Sequence, residues 1–412
     1  MIKTKKTINS WLHAYEQSST VIEVNTVAEL QLALFEGECK IVGKFHSYNR
    51  AALHDRTVIL GEGFKSLHYD SDTQTCKVGA ASTIREVMEY LLIHGRRLPN
   101  SGNMMQQTFV GACKTGTHGF GLDACMSDCV IEIEYIARHG SIVKTKGMPV
   151  EWIKTIGRPI LSMRIKTLPL SEYVVTNSIC RLSELLKTRR SQDKNLGPIE
   201  RSYLVLPYSG VDPVCVVADY QKSALYFHQV SEARRAMPWD WFKLRAFWAF
   251  DNRFPWIANR LSRMMNLATG KTWKTRTELT DLDFRYDVAP GVSLDTMSFK
   301  LWAMKPTFQL YNTALFFKPE ETRDAIREAI RFAQQIKPGL LRSFIGIRQL
   351  SDPSTVPFAG NYLEPRHAMD LYCAKPKAGQ NEGDRDCDYL IRVQRHLQRE
   401  FDTRPHLGKT VR

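Results

Sequence analysis

The run Thr115-Gly116-Thr117-His118-Gly119-Phe120-Gly121 constrains this chain more than any other feature. Gly111 stands just before it, and Gly43-Lys44-Phe45-His46-Ser47 lies about seventy residues earlier. Two glycine-bearing loops in the leading third, each carrying a histidine, point to a backbone cradle for a phosphorylated cofactor. Without a Cβ the main-chain N–H groups approach an anion closely, and small hydroxyl residues add donors without bulk.

At 412 residues the chain exceeds one ordinary core, so two domains are expected. Hydrophobic residues at 43% and charged residues at 24% fit a folded protein and exclude a disordered one. No apolar run approaches the roughly 18 residues of a membrane span. The basic start Met1-Ile2-Lys3-Thr4-Lys5-Lys6 leads into polar sequence, not an apolar leader core, so a cytoplasmic location is expected. Nine scattered cysteines do not form a disulfide framework. Cys125 and Cys129 are close, but no second pair or histidine cluster completes a metal site, and no metal is expected.

The net charge of +14 calls for an anionic partner: nucleic acid, a phosphorylated substrate or a membrane surface. Nucleic acid is set aside, because it leaves the two glycine loops without a purpose. From Lys222 to Arg276 eleven Lys/Arg face three Asp/Glu among aromatics such as Trp239, Trp241, Trp248 and Trp256. This reads as a helical hairpin with core aromatics and solvated arginines, or as an interfacial segment giving peripheral membrane contact.

The order of elements predicts an α+β protein. Strands are expected at 21–24 and 40–43, with a capping box at Thr26 and Glu29 opening a helix through Leu34. Together they read as a βαβ-like unit with the first glycine loop at a strand's carboxyl end. Further strands are expected at 57–60, 76–80, 130–136 and 160–168, and a capped helix runs from Ser82 to Leu92. Beyond 170 the pattern gives strands over 171–230, an aromatic helix over 231–268 and a helix from Pro319 to Lys337. Strands at 344–348 and 368–373, a loop from Lys375 to Asp386 and a helix from Asp388 to Phe401 complete it.

In this order the residues resemble a known family. Gly43-Lys44-Phe45-His46-Ser47-Tyr48-Asn49 is similar to a Gly-x-x-His-Ser-Phe/Tyr-Asn pyrophosphate loop. Leu98-Pro99-Asn100-Ser101-Gly102 with Gln107-Thr108-Phe109-Val110-Gly111, then the run from Thr115 to Gly121, resemble the second loop. Together they resemble the signature of the PCMH-type FAD-binding domain of the vanillyl-alcohol-oxidase superfamily, nearest its sugar-lactone and alditol oxidases. The resemblance covers residues 20–170 most fully. It implies an FAD-binding domain over 1–170, an α+β substrate (cap) domain with a mixed or antiparallel sheet over 171–385, and a C-terminal helix and tail over 386–412 returning to the flavin.

The same resemblance implies the site. Val42, Gly43, Lys44, Phe45, His46, Ser47, Tyr48, Gly102, Thr108, Gly111, Thr115, Gly116, Thr117, His118, Gly119 and Ile160 would hold FAD, with His46 in the place of the family's covalent flavin link and His118 structural. Thr108 takes the place of a small hydroxyl residue near the substrate, or is an ordinary turn hydroxyl. Arg404-Pro405-His406-Leu407-Gly408-Lys409 resembles a tail motif whose lysine stabilises charge on the reduced flavin. Where relatives carry Glu-x-Arg on a cap strand, this chain reads Gly346-Ile347-Arg348, so the arginine remains and the carboxylate is gone. Arg348 then clamps an anionic substrate group or pairs with a cap carboxylate. The implied function is FAD-dependent oxidation of a CH–OH group on a sugar-like, polyol-like or lactone substrate, with oxygen or another acceptor taking the electrons. Alternatives are a larger anionic or lipid-linked substrate, or flavin binding without oxidation. With glycine at 346 the proton acceptor is open among Tyr372, His367, His406 and Lys409.

Overall fold

Thr26 and Thr83 each open a helix by a reciprocal capping box, as their spacing to Glu29 and Glu86 dictates. Glu29 N–H donates to Thr26 Oγ1 (3.2 Å), and Thr83 N–H donates to the Glu86 carboxylate (2.7 Å). These helices, Val27–Phe35 and Ile84–Ile93, pack on the first two of three main sheets. The computed structural model describes residues 1–10, 15–47, 50–100, 102, 106–119, 125–146, 155, 157–169, 172–185, 196–207, 212–223, 272–278, 287–289, 292–293, 310–337, 340–341, 345–357, 359–374 and 386–409.

The first sheet has the order Ile2–Asn9, Glu16–Val24, Arg56–Leu60, Lys40–Val42. Its last three strands are parallel and its first is antiparallel. The expected βαβ unit is therefore split: Arg56–Leu60 lies between the two strands that the helix connects. The second sheet is antiparallel, in the order Leu67–Asp70, Thr75–Gly79, Ile160–Lys166, Val130–Ile136, Ile142–Lys146.

The third sheet has eight antiparallel strands: Thr272–Glu278, Glu172–Arg181, Val214–Ser223, Leu196–Leu206, Ile345–Leu350, Arg366–Ala374, Leu310–Phe317 and Arg404–Pro405. Period two sorts its residues between faces. Leu315, Phe317, Ile345, Ile347, Met369 and Leu371 join one core with the helices Thr322–Ile336 and Asp386–Glu400. Leu204, Gly346, Arg348, Phe316, Ala368 and Asp370 take the alternate positions on the other face. Pro319 sits in the turn before the first of these helices, not within it. The segment after Leu350 returns to the leading part of the chain, where Val356 and Ala359 enter its core. There Thr355 N–H and Ser354 Oγ donate to Asp128 at 2.9 and 2.8 Å. The aromatic helix expected over 231–268 lies outside the described residues, as does the loop over 375–385.

Candidate functional site

The first glycine loop leaves the strand Lys40–Val42 at buried Val42. A Cβ on Gly43 would lie 2.2 Å from Thr108 Oγ1, so glycine alone lets this loop rest on the start of the helix Phe109–Lys114. Phe45 turns through φ 56°, a left-handed conformation rare for an aromatic residue, and its ring packs against Ile8, Val21 and Leu53. The turn leaves Lys44 exposed and Ser47 half-buried. Burial, helped by the charge of Lys44, lowers the half-buried His46 imidazole to about 4, so it is neutral at pH 7. Tyr48 lies outside the described residues.

The second loop starts where that helix ends. Gly116 takes φ +68°; its N–H returns to Cys113 O (3.1 Å) and that of Thr117 to Ala112 O (3.0 Å), a left-handed helix stop. The Thr115 hydroxyl reaches the helix carbonyls of Gly111 and Ala112 (3.2 and 3.1 Å), so its donor serves the helix end. Thr117 packs on Gly102, where a Cβ would meet its Cγ2 at 2.3 Å. Gly119 N–H donates to Asn100 Oδ1 (2.5 Å). Thr108 Oγ1 fills the seam between Gly43 and Gly111. Ile160 lies opposite Tyr135 in the five-stranded sheet and shares a buried core with Phe109 and Cys113 of the helix that leads to the second loop.

The inner face of the large sheet closes over this second loop. The His118 ring lies 5.0 Å from Phe316 and 5.5 Å from His406, edge-on or tilted. The tail reaches the same place because Arg404–Pro405 adds a strand beside Leu310–Phe317 and His406 N–H continues the ladder to Ala314 O (3.0 Å). Gly408 then sits against Thr115, where a Cβ would be 3.2 Å from the threonine Cβ. Fully buried Arg366 anchors the approach. It donates to Phe316 O (3.3 Å), Asp402 O (2.6 Å), the Asp402 carboxylate (3.0 Å) and Glu364 (2.9 Å).

Lys409 and Arg348 meet on one carboxylate, which sequence reasoning did not single out. Lys409 Nζ donates to Asp370 Oδ1 at 2.7 Å, and Arg348 Nη2 stands 3.3 Å from Asp370 Oδ2. Arg348 thus pairs with a cap carboxylate. Burial alone would raise the Asp370 carboxyl, but Lys409 and Arg348 outweigh it and hold it far below its usual range. Burial lowers the Lys409 ammonium, and Asp370 opposes the shift. The one available signal was an acid at period two from Arg366 in the otherwise apolar run Ala368-Met369-Asp370-Leu371.

The two buried imidazoles are fixed in opposite senses. His118 Nδ1 lies 2.9 Å from Gly119 O; a carbonyl only accepts, so Nδ1 carries the proton. Burial, then Arg348 and Lys409, push this ring down to about 3. His406 Nδ1 accepts the Gly408 N–H (3.1 Å), which leaves Nε2 as its donor. Burial first, then Lys409, pulls this ring well below its usual value. His367 is removed from the set of proton acceptors: it is on the opposite face, bonded to Thr322 Oγ1 at 2.9 Å.

These residues fit an adenine dinucleotide with a polar ring system. Small residues meet where the first loop rests on the helix that leads to the second, and His118 Nε2 and Asp370 Oδ2 are buried without a hydrogen bond. Among the described residues no group of three metal-ligating side chains gathers, and no helix is long and apolar enough to cross a membrane.

Known proteins share the leading domain and the fold. Residues 20–146 match the model of the FAD binding domain family. A long-chain alcohol oxidase of an uncultured marine euryarchaeote is 26% identical over 144 residues, 34% of this chain and only 29% of that protein. The fold is shared with the wild-type BBE-like 1 protein of Physcomitrella patens (14% identity, TM-score 0.64, 95% of this chain and 83% of that one). It is also shared with a solvent-stable cholesterol oxidase (11%, TM-score 0.67, 99% and 87%) and the cholesterol oxidase of Brevibacterium sterolicum (10%, TM-score 0.64, 99% and 86%). Residues 20–146 of this α+β chain thus carry an FAD-binding domain, and FAD is its cofactor.

Proposed function

We propose that this chain is an FAD-dependent oxidoreductase acting on the CH–OH group of an alcohol. The observation that carries this reading is the tail, which brings Lys409 onto Asp370 and Arg348 beside the second glycine loop. FAD, held by the loops around Gly43 and Thr115–Gly119, would supply the hydride acceptor. The chain's own groups then bind the substrate oxygen. Lys409 and Arg348 place positive charge where that oxygen gives up its proton, and neutral His118 offers the buried Nε2 lone pair to a hydroxyl. His118 and Arg348 are buried and Lys409 is 19% exposed, so the contacts stand largely out of bulk water.

For the substrate, the site supports an alcohol with an extended apolar body better than a compact sugar, polyol or lactone. Gly346 contributes no side chain, and the space where its Cβ would stand is bounded by Leu204 Cδ2 at 3.9 Å and Asp370 Cβ at 3.6 Å. A relative named for long-chain alcohols and fold neighbours named for cholesterol point the same way. The test is anaerobic titration of the purified yellow protein with long-chain alcohols, a sterol, alditols and sugar lactones. Bleaching of the flavin by the first two classes is expected. Bleaching by alditols or lactones alone overturns the substrate class, and a protein that takes up no FAD overturns the whole reading.

A further inference from the structure

Gly346 and Asp370 are direct partners across neighbouring strands, and Leu204 is the partner of Gly346 on its other side. Opposed residues of a sheet share a face. A side chain at 346 and the carboxylate at 370 therefore look out on one volume, and Arg348, two residues along, has Asp370 on its diagonal. The position where the resemblance expects an acid is empty, and an acid stands one strand away. Asp370 is 1% exposed, bonds Lys409 Nζ at 2.7 Å through Oδ1, and keeps Oδ2 buried 3.3 Å from Arg348. Two cations this close repel unless a carboxylate lies between them.

We propose that Asp370 supplies this site's carboxylate from the adjacent strand, as a positioning residue that holds Lys409 and Arg348 at the substrate oxygen. This rests on the oxidation reading above. Asp370 is not the proton acceptor: both of its neighbours are cationic, and both favour its charged form. Its work is done through Lys409, whose seat on the sheet it defines, and through Arg348, whose guanidinium it turns inward.

The test compares the holoprotein with Asp370→Asn, with Asp370→Ala, and with the double variant Gly346→Glu/Asp370→Ala, which returns the acid to the other strand. Contacts at 3.6 and 3.9 Å around a Cβ at 346 are ordinary, and alanine at 370 clears the space for the new side chain. Two readouts are taken: kcat and KM for the best alcohol across pH, and pH-dependent amine labelling of Lys409 followed by mass spectrometry of its peptide. Asp370→Asn should lower kcat by about 100-fold with flavin content retained, and should move Lys409 labelling to lower pH by about one unit. The double variant should recover to within about tenfold of the parent and restore the labelling profile. Unchanged kcat and an unchanged labelling profile in Asp370→Asn overturn the proposal, as does a double variant no better than Asp370→Ala alone. If no alcohol bleaches the parent protein, the oxidation reading fails instead, while labelling still reports the Asp370–Lys409 pair.

Discussion

Replacing Arg366 with methionine keeps most of the side chain's length and removes every donor of a fully buried guanidinium. Four contacts disappear: the carbonyls of Phe316 and Asp402 and the carboxylates of Glu364 and Asp402. The carboxylates contribute little to the loss, because Glu364 and Asp402 are 34% and 52% exposed and return to water. Exposed pairs of this kind are worth about 0–1 kcal/mol. The carbonyls weigh more, Phe316 O above all: its contact is buried and that of Asp402 O half-buried, and a buried acceptor left unpaired costs about 1–3 kcal/mol. Methionine's apolar contacts offset part of this, so Arg366→Met should cost about 2–4 kcal/mol, against near neutrality if the arginine merely filled space. Urea unfolding gives the stability, and Lys409 labelling reports whether the tail has let go. Arg366→Lys should fall between, because it keeps charge without the planar fork. A loss below about 0.5 kcal/mol with unchanged labelling would refute the claim that Arg366 anchors the tail.

Gly43→Ala should destabilise the protein by about 1–3 kcal/mol and weaken FAD binding, through the clash with Thr108 Oγ1; Thr108→Ala in the same chain should return part of the loss, and strict additivity in a double-mutant cycle would be the contrary result. Acid should destabilise the fold early. His118 and His367 are held at about 3 and about 4, below the unfolded value near 6.5, so unfolding takes up protons. Their contribution is therefore complete above about pH 6.5 and is lost as pH falls towards about 4 for His367 and about 3 for His118, and His367→Asn should flatten the slope of unfolding free energy against pH between about 6.5 and 4. If His46 carries the flavin covalently, acid precipitation leaves flavin fluorescence with the polypeptide and His46→Ala releases it; free flavin from the parent protein removes that assignment.

Local chemistry was legible in the sequence, and pairing across the sheet was not. Thr26 and Thr83 declare their helices because a capping box is complete within four residues. The loop at Thr115–Gly119 declares itself because Gly116 is needed at positive φ. The first strand, Ile2–Asn9, passed unread: its run of lysines and threonines shows no apolar alternation, since six of its eight residues are exposed. The insertion of Arg56–Leu60 into the parallel unit is a matter of strand order, which no local pattern encodes. Asp370 was hidden for the same reason. Its meaning depends on standing opposite Gly346, and that register is set by the hydrophobic faces of whole strands.

The placement of Lys409 also bears on how the protein matures. Synthesis delivers both glycine loops early, yet the Arg404–Pro405 strand that seats Lys409 emerges after every other strand of its sheet. A nascent chain therefore presents both glycine loops before the tail that carries Lys409. On the function proposed above, a chain lacking that strand would keep the nucleotide cradle and lose the seat of Lys409 on Asp370.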